Sequence, residues 1–324
     1  MGGKTLQTQR KGEKMTYPDK LPLDIKPVWY YADCFPANFP YRLISVFLHR
    51  DYMMDMHCHD FYELNLIISG KGVHYTKNER RETSVGDVII IPPGTYHGYY
   101  NIDGLNVYHM LIHKNFFNRY YSDLNMLSPF SILFATAAKR SDGEAKIQYF
   151  HADAADHESM LSTFCELDAL EKPQLTDVSS QTPYLSLLSY TQALILIVKL
   201  CNAYKTARAA LDAAKGNSSS SNLLNVIDYI HLHYAEKITV KDLCAVALMS
   251  KTLLTEQFNK TMGQSPSEYV NYYRILVAKK LLTETDMSIA RIAAETGFFD
   301  NSHFSKTYIK FENISPLKLR KTLG

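Results

Sequence analysis

Between Trp29 and His113 the apolar residues fall into short runs broken by Gly, Pro and Asn. Leu64–Ile68 and Val88–Ile91 are the clearest, each of strand length and rich in branched aliphatic side chains. Gly70-Lys71-Gly72, Gly86-Asp87 and Pro92-Pro93-Gly94 punctuate them as turns. Many short strands with evenly placed turn signals predict a small barrel or sandwich. After Lys114 the texture becomes helical. Tyr184–Tyr204 places Leu187, Leu188, Thr191, Leu194, Ile195, Val198 and Cys201 at the i, i+3, i+4, i+7 spacing of one helix face. Its other positions are also largely apolar, so this helix must be covered on most sides, by its own barrel or by another subunit. Met1–Lys20 is polar and reads as a loose tail. Gly216-Asn217 followed by Ser218–Ser221 reads as a flexible linker, and everything beyond it reads as helix.

Two segments in the last hundred residues share one layout. Thr239 opens a short Ala-containing helix, a break follows, and Ser250 opens a second helix. Ser288 opens another short helix, the turn contains Gly297, and Asp300 opens the helix after it. Ala245, Ala247, Ala290, Ala293 and Ala294 allow close helix crossing, and Gly297 can supply the positive φ of a tight turn. This is the pattern of a helix-turn-helix, present twice. Between the copies, Ser265-Pro266-Ser267-Glu268 forms a capping box with Pro at the first helical position. Tyr269, Tyr272, Tyr273, Leu276, Lys280 and Leu281 then run at helical spacing. A rigid helix of this kind would hold two recognition helices about one DNA turn apart, roughly 34 Å.

Composition narrows the class without choosing it. A chain of 324 residues predicts about two domains. With 46% apolar and 21% charged residues, collagen-like, disulfide-scaffold and wholly disordered readings fall away. Net charge is only +2, but 222–324 carries 13 Lys and Arg against 10 Asp and Glu, so the C-terminal part is the more basic. Cys34, Cys58, Cys165, Cys201 and Cys244 are odd in number and never spaced C-x-x-C, which favours reduced thiols over a disulfide frame or Cys-based zinc. Lys4, Arg10, Lys11 and Lys14 are followed by no apolar h-region, and Tyr184–Leu200 falls short of a membrane span. A soluble, cytoplasmic protein with no membrane partner is expected.

From Ile227 through Arg320 the sequence resembles the DNA-binding domain of the AraC/XylS family of transcription regulators. The matching stretches include Ile238-Thr-Val-Lys-Asp-Leu, Ser250…Leu254…Phe258…Lys260…Gly263-Gln-Ser-Pro and Tyr269…Arg274…Ala278-Lys-Lys-Leu-Leu. Ile289…Ile292-Ala…Gly297-Phe, Phe304-Ser-Lys and Ser315-Pro complete the set. The resemblance implies a multi-domain protein with an N-terminal all-β cupin barrel, a helical dimerisation segment and a C-terminal all-α double helix-turn-helix domain. The boundaries expected are a tail at 1–25, an effector-binding and dimerisation domain at 26–205, a Ser-rich linker at 206–221 and the DNA-binding domain at 222–324. It also implies a homodimer that activates transcription, with double-stranded DNA, a small-molecule effector and RNA polymerase as partners. The DNA face would comprise Thr252, Thr255, Glu256, Asn301, Ser302, His303 and Lys306. Three departures stand out. Glu256 replaces the arginine usual in the first recognition helix, Tyr308-Ile309-Lys310 replaces a phenylalanine-lysine-lysine, and Asn313 replaces a glycine. A carboxylate repels phosphate but can accept from cytosine N4, so base preference should differ.

The N-terminal half carries a second resemblance. His57-Cys-His59-Asp-Phe-Tyr-Glu63 with Gly70, and Gly86…Pro92-Pro-Gly94…His97 with Asn101, match both cupin motifs in full. His57 and His59, two apart on a strand, share a face. With Glu63 and His97 they form a set of three imidazoles and a carboxylate, suited to a divalent metal such as Zn, Fe, Mn or Ni. The family resemblance instead implies a small organic effector and no cofactor. Tyr99 and His109 match positions that line the sugar pocket in arabinose-responsive members, which points to a sugar or sugar acid held by His57, His59, Glu63, His97, Tyr99 and His109. The rival reading is a metal-dependent cupin enzyme, or a metal sensor, fused to a DNA-binding domain.

Overall fold

The computed structural model describes residues 28–29, 43–134, 146–176, 183–215 and 221–323. The expected tail at 1–25 lies outside them, as do Cys34 and 216–220 of the expected linker.

The strands are β1 (Val28–Trp29), β2 (Ile44–His49), β3 (Met54–His59), β4 (Tyr62–Thr76), β5 (Arg80–Ser84), β6 (Asp87–Ile91), β7 (His97–Ile112) and β8 (Gln148–His151). They form one sheet in the order β1-β3-β7-β4-β6-β8, with β2 on β7 and β5 on β4. The long strands β4 and β7 pair antiparallel along their whole length, with register shifts between Ile67 and Val73. Bulges of this kind bend and twist a strand, letting a sheet roll over on itself. The roll is visible in one bond. Asn65 pairs with His109 and His74 with Tyr99, yet Asn65 Nδ2 donates to the Tyr99 hydroxyl at 3.1 Å, across the interior. Alternation divides the chemistry. Leu64, Leu66, Val88, Ile90, Tyr108 and Met110 face outward into the main core, whereas Ile67, Ile89, Ile91 and Val107 face inward. Burial on both faces explains why Leu64–Ile68 reads as a continuous apolar run.

The helices are α1 (Lys114–Leu124), α2 (Ser128–Leu133), α3 (Ala154–Thr176), α4 (Pro183–Lys215), α5 (Ser221–His233), α6 (Val240–Ala247), α7 (Lys251–Met262), α8 (Pro266–Glu284), α9 (Ile289–Glu295), α10 (Asn301–Glu312) and α11 (Pro316–Leu323). The long helix extends ten residues beyond the expected domain end. Residues 206–215 are helical and not linker, because Ala207, Ala209, Ala210, Ala213 and Ala214 are the strongest helix formers. By length and composition α4 could cross a membrane, but half of that window is buried within the protein. Leu196, Ile197, Leu200 and Cys201 pack inward, while Leu187, Ile195 and Val198 remain exposed as one stripe.

The outer face of the sheet, α1–α5 and the first helix-turn-helix unit share one apolar core. Ile292, Phe298, Phe304 and Tyr308 of the second unit form a separate one. Helix α8 serves both: Tyr269, Tyr273 and Leu276 enter the first core, and Ile275, Ala278 and Leu282 the second.

Candidate effector site and DNA-binding surface

All six residues expected to hold an effector are buried inside the rolled sheet, none more than 4% exposed. Glu63 is the centre. His109 Nδ1 donates to Glu63 Oε1 at 2.8 Å, and His59 Nε2 lies 3.0 Å from Glu63 Oε2. Burial alone would raise the Glu63 pKa, but hydrogen bonds from His109 and His59 hold it well below the usual carboxylate range. It is a buried anion among imidazoles. Burial pushes the surrounding histidines the other way: His57 and His97 are lowered, and His74 falls to about 3.

Backbone carbonyls orient two of the rings. His57 Nδ1 sits 2.9 Å from the Asp55 carbonyl and His59 Nδ1 2.7 Å from that of Phe61, so both rings turn Nε2 inward. The same arrangement orients metal-binding histidines. Donor atoms of His57, Glu63 and His97 all lie within 4.8 Å of one another. His59 Nε2 is 3.1 Å from His97 Nε2, but its ring stands 6.1 Å from that of His57. Three of the four expected ligands therefore converge, and this donor set fits a borderline divalent metal.

The interior holds further polar residues that the motifs did not indicate. His49 stacks on Tyr52 at 4.7 Å, Tyr52 meets His109 at 4.6 Å, and His74 meets Tyr99 at 4.8 Å. The Tyr149 hydroxyl bonds His74 Nδ1 at 2.9 Å. Several buried polar atoms of this cluster have no protein partner: His49 Nδ1, Asn65 Oδ1, His74 Nε2, His97 Nδ1 and His109 Nε2. Each unmade bond costs about 1–3 kcal/mol in a buried setting.

In the C-terminal half the caps fall where the sequence puts them. Thr239 with Asp242 and Ser265 with Glu268 close capping boxes, and Ser250, Ser288 and Asp300 cap the helices they precede. Gly297 has φ +77°, and a Cβ there would meet the Tyr234 and Ala235 carbonyl oxygens at 2.8 Å. The first unit makes its turn with Leu248 at φ +51°. Arg274 ties α8 to the α5–α6 loop, its Nε donating to the Tyr234 carbonyl and its Nη2 to that of Glu236, both at 2.7 Å.

Thr252 and Glu256 on α7, and Asn301, Ser302, His303 and Lys306 on α10, are all exposed. Thr255 is half-buried and its hydroxyl donates to the Lys251 carbonyl at 2.8 Å. The Asp300 carboxylate takes the Ser302 and His303 amides, so those two residues are fixed at the helix start. Two apolar residues beside these helices were not anticipated: Phe299 is 89% and Leu248 81% exposed. A signal was present in the adjacent pairs Phe298-Phe299 and Leu248-Met249, because a tight turn can bury only one member of each.

Two family profiles cover most of these elements. Residues 43–161 match the AraC-like ligand binding domain and 243–322 a helix-turn-helix domain. The chain is 24% identical over 265 residues to the HTH-type transcriptional activator RhaS of Enterobacter sp. (strain 638), covering 82% of this chain and 87% of that protein. It is 22% identical over 264 residues to RhaS of Pectobacterium carotovorum, covering 82% and 86%. Among solved structures, an AraC-type regulator from Chromobacterium violaceum matches 33% of this chain and 95% of its own at 28% identity, with a TM-score of 0.31. These relatives are regulators and not enzymes, which sets aside the catalytic reading of the barrel. A sensor domain and a double helix-turn-helix occur together in one chain, and the protein belongs to the AraC family of DNA-binding transcription regulators.

Proposed function

We propose that this regulator is an activator, as the RhaS relatives are named, working as a cytoplasmic homodimer that engages RNA polymerase. Its effector is a polyhydroxylated molecule, a sugar or sugar acid, held inside the barrel by His57, His59, Glu63, His97, Tyr99 and His109. The observation that carries this is the group of unpartnered buried polar atoms around an ionised Glu63. Hydroxyl groups both donate and accept, so one ligand could satisfy the carboxylate and the bare imidazole nitrogens together. Tyr52 and Tyr99, whose rings lie 5.2 Å apart in this interior, supply the aromatic surface on which the C–H groups of a pyranose would pack. On the DNA side, Thr252, Thr255, Glu256, Asn301, Ser302, His303 and Lys306 would meet the major groove.

The test is thermal unfolding with a panel of sugars and sugar acids. A ligand that binds only the folded state raises the midpoint by mass action. A stabilising sugar whose effect disappears in Glu63→Gln supports the reading, and a panel that leaves the midpoint unmoved opposes it. Lys306→Ala and Asn301→Ala should weaken operator binding at fixed salt while sparing the sugar response. A base-edge contact is worth about 1–3 kcal/mol of discrimination.

A second reading is favoured by the convergence of His57, Glu63 and His97, which could hold a divalent metal. Mass spectrometry on protein purified without a tag decides it. Stoichiometric zinc, iron, manganese or nickel supports a metal, and a metal-free preparation removes it.

A further inference from the structure

A cavity of about 730 Å³ lies at the barrel end, against helices α1 and α2, and borders the barrel interior at Cys58 and His59. Tyr62, Phe117, Phe130 and Phe134 wall it, all at most 7% exposed. Their rings pack edge to face and stacked at 4.8–6.0 Å. Its rim carries Lys114 and Asn118, both exposed. Asp60, the other charged group on the rim, is already engaged within the protein. The walls thus favour a flat apolar body, and the rim a single anionic group that an ammonium and an amide can take.

The position of α1 adds a consequence. Lys114, Phe117, Asn118 and Tyr121 reach the cavity at i, i+3, i+4 and i+7 along one face. The Tyr121 hydroxyl also bonds the Tyr272 hydroxyl on α8, and Asp123 pairs with Lys280 of the same helix. Helix α8 is the element that both helix-turn-helix units share. One helix therefore touches the cavity with one face and the centre of the DNA-binding domain with its end.

We propose that this cavity is a second small-molecule site, adjoining the hydroxyl-binding interior at His59, and that it takes an aromatic monocarboxylate whose occupancy is transmitted through the α1–α8 contact to DNA affinity. The transmission half rests on the proposed regulatory function, whereas the binding half does not. Occupancy can alter DNA affinity only if the ligand favours one arrangement of α1 against α8.

The probe is 2-naphthoate, titrated calorimetrically into the full chain, with neutral 2-naphthamide as control. Binding of naphthoate in the millimolar range or tighter is expected, weaker by about tenfold for the amide and for Lys114→Met. No naphthoate binding, or equal binding by the amide and by Lys114→Met, overturns the site. Operator affinity is then measured with and without saturating naphthoate, with a change of about fivefold or more expected. The double variant Asp123→Asn/Tyr272→Phe should bind naphthoate as the parent does and lose that change. Binding without any effect on operator affinity, or an effect that persists in the double variant, overturns the transmission and leaves the site. If the full chain binds no operator either alone or with a sugar that stabilises it, the regulatory reading fails, and the calorimetric result stands on its own.

Discussion

Gly297→Ala offers a direct test of how the second helix-turn-helix unit is built. The added Cβ would sit 2.8 Å from the Tyr234 and Ala235 carbonyl oxygens and 3.0 Å from the Ala235 carbonyl carbon. Ordinary contact between such atoms is about 3.5 Å or more, so something must give by roughly 0.7 Å. The atoms in the way are backbone, and the Tyr234 oxygen already accepts from Arg274 Nε at 2.7 Å. Forced overpacking costs about 1–3 kcal/mol. Holding an alanine at a left-handed φ adds about 1–2 kcal/mol. The smaller unfolded-state entropy of alanine returns about 0.4–1 kcal/mol. The net loss is therefore about 2–4 kcal/mol, localised in the second unit. Urea unfolding of the full chain, followed alongside operator binding, should show a lower midpoint and a large loss of affinity. The first unit supplies the control, because Leu248 holds φ +51° at 81% exposure and touches little. Leu248→Gly relieves strain without opening a hole and should leave stability unchanged or raise it by about 0.5 kcal/mol. If Gly297→Ala costs less than about 0.5 kcal/mol, neither the close approach nor the left-handed turn governs this unit, and the reasoning is refuted.

Other consequences can be checked as directly. Ile195→Glu and Val198→Glu place charge on the exposed stripe of α4 and should give monomer by light scattering, and two folded dimers would show that this face is not the interface. Glu256 carries no hydrogen bond or ion pair among the described residues, so Glu256→Arg should steepen the dependence of log affinity on log salt by about one unit and shift one base pair toward guanine. Equal slopes and equal preference would place it away from the groove. His231 stacks on Tyr273 at 3.9 Å, and burial lowers its pKa to about 4. Since the unfolded ring titrates near 6.5, the unfolded state binds the extra proton between pH 6.5 and 4, and this group's contribution to stability falls by about 3 kcal/mol over that window. His231→Phe should remove that part of the acid sensitivity, and an unchanged difference curve would show that the ring is not held neutral.

The C-terminal half was legible because its signals are local. Thr239, Ser250, Ser265, Ser288 and Asp300 each cap a helix through a side chain within three residues of its partner amide. The barrel was legible as strands, and its motif histidines as a set. His49, Tyr52, Asn65, His74 and Tyr149 were not, because what brings them inside is the pairing of strands distant in sequence and not any spacing along the chain. Helix α4 was cut short for a different reason. Polar residues such as Lys205, Thr206 and Arg208 look like a linker beside the apolar run before them, whereas alanine content decides whether a helix continues. The cavity was invisible in sequence because Tyr62 and Phe134 meet only after the chain has crossed the whole sheet.

The distribution of cores bears on what an effector can do. The first helix-turn-helix unit shares its apolar core with the sensor domain, while the second is held through α8, which Arg274 ties to the α5–α6 loop. Helix α8 is 19 residues long, about 28 Å, and is buried along both sides. A perturbation arriving at Tyr272 or Lys280 reaches a helix that carries both recognition helices, so it moves them together more readily than it moves one against the other. The spacing of contacts within one protomer's half-site should then be the same with and without ligand, and only affinity, or the pairing of half-sites across two protomers, should respond. Footprints that keep their internal spacing while their intensity changes would agree. A ligand-dependent change of spacing inside a single half-site would mean that α8 bends, and that the two cores it joins are not as tightly coupled as one shared helix requires.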